Sequence, residues 1–72
     1  MTKAIIYDIF EGDINSPIAT IEFKDNELPN SNDNLIINHT RYVVCRREYI
    51  IDCDMYEVAL QVKKYIPNNG GY

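Results

Sequence analysis

Residues 41–62, RYVVCRREYIIDCDMYEVALQV, concentrate the side chains of this protein that could do chemistry: Cys45 and Cys53, the adjacent Arg46 and Arg47, three tyrosines, and an Asp52-x-Asp54 pair. Each chemistry they suggest makes a demand on spacing. Structural zinc sites are built on close ligand pairs, C-x₂₋₄-C on a knuckle. Cys45 and Cys53 stand eight apart, and His39, the one histidine, falls in a turn segment. A nucleophilic thiol needs a nearby base or positive charge. Arg46 and Arg47 follow Cys45, but successive strand residues point to opposite faces, and no second histidine is present to act as a base. A calcium loop beginning at Asp52 would need glycine at its sixth position and a closing glutamate, and has neither. Gly12, Gly70 and Gly71 form no phosphate-binding loop. These residues predict no enzyme, no metal and no cofactor.

One recognition surface does survive that test. Tyr42, Tyr49 and Tyr56, interleaved with Arg41, Arg46 and Arg47, have the composition of a base-stacking platform for single-stranded nucleic acid. The charge balance argues against it. The net charge is −4, and in residues 1–33 seven acids face two lysines, whereas residues 34–72 carry five cations against four acids. An acidic half repels phosphate and favours a basic protein partner. The acids concerned are Asp8, Glu11, Asp13, Glu22, Asp25, Glu27 and Asp33.

These residues must be positioned by short extended elements. KAIIYDIFE (3–11) is rich in β-branched and aromatic residues and runs into the polar cluster GDINSP. PIATIEFK (17–24) alternates strictly, with Ala19, Ile21 and Phe23 on one face and Thr20, Glu22 and Lys24 on the other. The two predict an antiparallel pair joined by a loop of about five residues. DNELPNSNDN (25–34) is an Asn- and Asp-rich irregular segment, NLIIN (34–38) a short strand, Asn38-His39-Thr40 a tight turn, and RYVVCRREYIID (41–52) a long strand. Asn38-His39-Thr40 also matches a glycosylation sequon, which without a signal peptide marks only a turn. MYEVALQVKKYI (55–66) reads two ways. As a strand it sets Tyr56, Val58, Leu60 and Val62 against Glu57, Ala59, Gln61 and Lys63; as a helix it aligns Met55, Val58, Ala59, Val62 and Ile66, with Asp54 and Glu57 at capping-box spacing. The strand is favoured, because the helix would leave Tyr56 and Leu60 in water. PNNGGY (67–72) is expected to form a loose tail beyond a single domain, 1–66.

The expected fold is all-β, a small five-stranded antiparallel barrel of the SH3 or OB type. The alternative is α+β, with a C-terminal helix on a four-stranded sheet. NLIINHTRYVVCRREYIID resembles a hairpin common in small SH3-like β-barrel proteins of bacteria and their phages, in which a short apolar strand, a turn and an R-Y-x-V strand precede a second apolar strand. It departs from that pattern at Asn38-His39-Thr40, where a glycine-containing turn is usual. The resemblance covers at most residues 28–62 and implies a non-catalytic accessory or inhibitor protein; it transfers no site residue.

The chain is therefore read as a protein-binding module that presents its acidic half to a basic surface, including one that otherwise holds nucleic acid. A single-stranded nucleic-acid binder and a structural subunit that adds its edge strands to an assembly are the alternatives. The apolar run at the N-terminus is too short for a signal peptide and no segment is long enough to span a membrane, so a cytoplasmic location with reduced thiols is expected. The 3–11 segment is apolar on both faces, with Ile5, Tyr7 and Ile9 opposite Ala4, Ile6 and Phe10, which predicts cover by barrel closure or by a second copy, and favours a homodimer.

Overall fold

The computed structural model describes residues 1–52 and 55–66. They form one five-stranded sheet: β1 (Thr2–Asp8), β2 (Ala19–Phe23), β3 (Asn34–Ile37), β4 (Thr40–Asp52) and β5 (Met55–Lys64), with a single 3₁₀ turn at Asp25–Glu27. Residues 55–64 are strand, as the period-two pattern favours, and among the described residues no helix covers the sheet. The strand order is β2-β1-β5-β4-β3.

Two features differ from the expected barrel. β1 and β5 run parallel, with Ala4 opposite Val58 and Ile6 opposite Leu60, whereas the other three pairings are antiparallel. The sheet is also open, curled into a half-barrel whose edges β2 and β3 do not pair with each other. The segment between those edges takes the place of strand pairing: Leu28 packs on the core and Pro29 is buried beside it.

Alternation then decides which side chains meet. Ala4, Ile6, Tyr42, Val44, Val58, Leu60 and Val62 form the inner face and are fully or almost fully buried. Ile18, Ile21, Phe23, Leu28, Leu35 and Ile37 close around them. Burying each large aliphatic side chain here contributes about 1.5–3 kcal/mol, which makes this single layer the main source of stability. On the outer face Ile5 and Tyr7 are half-buried and Ala59, which lies between Ile5 and Glu48, is only 2% exposed. Side chains of the flanking strands thus shield Ile5 and Tyr7 in part, while Ile9 and Phe10 beyond the end of β1 are exposed.

β1 ends sooner than its composition suggests. The Asp8 carboxylate accepts the backbone N–H groups of Phe10 (2.7 Å) and Glu11 (3.1 Å), and the Asp8 carbonyl accepts that of Gly12 (3.0 Å). A side chain that satisfies the backbone locally competes with the ladder. The chain turns there, and the β1–β2 connection spans residues 9–18, twice the length expected from the sequence.

The β3–β4 turn is short. Asn38 and His39 both have positive φ, 52° and 68°, the pairing that a two-residue type I′ hairpin turn needs. Asparagine tolerates this conformation and histidine less so. His39→Gly is expected to raise stability by about 0.5–1 kcal/mol, read as a higher urea midpoint with an unchanged slope. A lower midpoint would show that the imidazole contributes contacts that outweigh its backbone strain.

β4 carries a bulge between Val44 and Arg46, leaving Cys45 as the extra residue. Beyond it β4 and β5 run on as a ribbon. The last β1–β5 pair is Lys3 with Glu57, so Ile51, Asp52, Met55 and Tyr56 pair only within the hairpin. The ribbon sets the long axis of a molecule measuring 48 × 25 × 19 Å.

Candidate functional site

The seven acids do not form one cluster. Asp8, Glu11 and Asp13 lie in and beside the β1–β2 connection, at the C-terminal end of β1. Asp25 and Glu27 form the 3₁₀ turn at the opposite end, where Thr2 Oγ1 donates to Asp25 Oδ1 at 2.6 Å. The length of β1 separates the two groups by about 20 Å. Glu22 projects from the outer face of edge strand β2, and Asp33 stands at the entrance to β3.

Several of these carboxylates hold turns together. Asp8 does so from a buried position; Asp13 Oδ1 accepts the N–H of Asn15 (2.8 Å) and Asp33 Oδ2 that of Asn30 (2.7 Å). The Asp8 end also carries cations. Lys63 and Lys64 join Asp8 and Glu11 around an open pocket of about 640 Å³ whose apolar wall is Phe10, Val43, Tyr65 and Ile66. At the other end, Glu22, Asp25 and Glu27 are exposed, and only the N-terminal amine, 3.9 Å from Asp25, comes within ion-pair distance among the described residues.

No family model, curated protein or solved structure matches the chain. Its functional reading rests on its own residues.

The tyrosines and arginines separate as well. Tyr42 is a core residue, 8% exposed. Tyr49 and Tyr56 lie on the ribbon, about half exposed, with their rings stacked at 6.0 Å and 18°. The Arg47 guanidinium lies 5.5 Å from the Tyr49 ring and donates to the Pro29 carbonyl at 3.1 Å, so it ties the base of the ribbon to the covering loop. Arg41 sits at the other end, over Tyr65. Arg46 points from the outer face, 3.9 Å from Glu48, while Glu57 pairs with Lys3. The stacked pair has a signal in the sequence: with Asp52 opposite Met55, Tyr49 and Tyr56 become diagonal neighbours across the hairpin.

Cys45 does not approach His39. Cys45 is a half-buried free thiol in the bulge, and His39 lies in the turn before β4, six residues back and about 20 Å away in extended chain. Among the described residues no three His, Cys, Asp or Glu side chains are placed to share a metal ion. Cys53, Asp54 and the 67–72 tail lie outside the described residues. No helix among the described residues is long and apolar enough to cross a membrane.

Proposed function

We propose that this chain is a non-enzymatic protein-binding module, an accessory or inhibitor protein of the phage or prophage type, that acts in the cytoplasm by presenting acids to a basic partner. The observation that carries this reading is the exposed run of Glu22, Asp25 and Glu27 along edge strand β2 and the turn after it. Among the described residues no lysine or arginine lies within ion-pair distance of the run, since Lys3, across the ladder from Glu22, pairs with Glu57. Lys24 is the only positive side chain within the run. Asp8, Asp13 and Asp33 have structural duties, and Glu11 lies beside two lysines. The active part of the acidic half is therefore narrower than the composition suggests.

Exposed charges steer encounter more than they hold a complex, so association should be fast and should weaken with salt. Capture of partners from the cell of origin by the immobilised chain is expected to yield a basic protein that elutes between about 0.05 and 0.3 M salt. Glu22→Lys/Glu27→Lys is expected to weaken that complex about tenfold while leaving the far-UV spectrum unchanged. A partner retained equally well by the double variant would remove the acidic edge from the mechanism.

The stacked Tyr49–Tyr56 pair beside Arg47 supports a second reading, single-stranded nucleic-acid binding. Micromolar binding of an oligonucleotide that is lost in Tyr49→Ala, and tightened by Glu22→Lys/Glu27→Lys, would establish that reading over the first.

A further inference from the structure

The longest unpaired strand edge in the described chain belongs to β4. β3 pairs with β4 only over residues 40–43, and the next edge position is filled by the following contacts: Val44 N–H donates to the Asp33 carbonyl and the Val44 carbonyl accepts the Asn32 N–H. From Arg46 to Asp52, β4 has β5 on one side and no strand on the other.

The direction of the backbone groups on this edge follows from neighbouring bonds. Val62 O accepts the Ile9 N–H, so Val62 faces β1, and the odd-numbered residues of β5 face β4. Their partners Arg46, Glu48 and Ile50 consequently turn their backbone groups inward to β5. Arg47, Tyr49 and Ile51 turn theirs outward, where no described backbone group meets them. Natural edges are blunted by proline, lysine, bulges or short length. REYIID has no proline, lysine or bulge and is longer than β2 and β3, which span five and four residues; its charges are Arg47, which is held by the Pro29 carbonyl, Glu48 and Asp52.

We propose that this edge pairs with the same edge of a second copy, antiparallel, about a two-fold axis at Tyr49. Tyr49 then exchanges a reciprocal pair of N–H···O bonds with Tyr49 of the second copy, and Arg47 does so with Ile51 on either side. On the outer face Arg46 stands opposite Asp52 of the second copy, at both ends of the paired run. The charges single out this register. An axis at Arg47 or at Glu48 sets that residue against itself, an axis at Ile50 sets Glu48 against Asp52, and an axis at Ile51 shortens the paired run to residues 50–52. Like charges directly opposite are destabilising and opposite charges favourable. Arg46 can make the new contact, since its side chain is 67% exposed and its ion pair with Glu48 is long, at 3.9 Å. The β2 edge with Glu22 and Glu27 lies at the far side of the sheet, so this assembly is independent of the acidic contact proposed above.

A paired run of this length makes a small interface, and a dissociation constant on the order of 10–100 µM is expected. Sedimentation equilibrium from about 5 to 500 µM, a range bracketing that constant, should show the mass rising from 8.4 kDa towards twice that value. Arg46→Asp and Asp52→Arg should each weaken the dimer about tenfold, and the double variant Arg46→Asp/Asp52→Arg should recover wild-type affinity within about twofold. Tyr49→Pro removes an outward N–H that the isolated sheet does not use, and should give a folded monomer. A wild type that stays monomeric throughout overturns the proposal. So does a dimer that both single reversals leave unchanged, or one that the double variant fails to restore.

Discussion

Leu60→Ala is expected to lower the unfolding free energy by about 3 kcal/mol. Leu60 is fully buried, lies opposite Ile6 on one side and Arg47 on the other, and sits in the middle strand of the sheet. Removing its branched end leaves a void that β1 and β4 cannot close without breaking register with β5. A domain of this size has roughly 4–11 kcal/mol to lose. A thermal midpoint about 15 °C below wild type, followed by far-UV circular dichroism, is the expected reading. Ile36→Ala is the control: Ile36 is 66% exposed on the outer face of β3, and its loss should change stability by no more than about 0.5 kcal/mol. Equal losses at the two sites would mean that the inner layer is not the core.

Asp8→Ala is expected to cost about 2 kcal/mol, more than the loss of any exposed acid. Its carboxylate satisfies two backbone donors from a buried position and stops β1 where the turn must begin. Alanine leaves both donors to find water and removes the reason for the chain to leave the ladder at that point. Asp8→Asn keeps an acceptor oxygen and should lose about half as much. Urea titration of the pair separates the two contributions. Equal losses would assign the effect to charge instead of to the acceptor's position.

Period-two alternation made much of the fold legible. Ala19, Ile21 and Phe23 face the core as their spacing demands, and so do Val58, Leu60 and Val62. Tyr56 continues the same alternation yet stands half exposed, because β5 at that point has run past the end of β1. Alternation states which face a residue takes and not what lies across from it. Ala59 shows the converse: the face read as polar buries it between Ile5 and Glu48. Nothing in the composition marks the parallel β1–β5 pairing, since parallel and antiparallel ladders place side chains alike. The bulge at Cys45 was equally hidden, having no glycine to announce it. The acids looked like a single surface because they are close in sequence; β1 carries them to opposite ends.

The parallel β1–β5 pairing also orders events in time. Lys3 meets Glu57, and Asp8 meets Val62, across more than fifty intervening residues, whereas the β3–β4 and β4–β5 hairpins close locally. Loop-closure entropy favours the hairpins first, so β1 and the β2 strand it carries dock onto a preformed β5 edge late. Of the five strands β1 is the first to be made and among the last to find its partner. Until β5 emerges, Ala4 and Ile6 have no edge on that side to bury against, and the apolar AIIYDIF segment is the part of the nascent chain most exposed to mispairing.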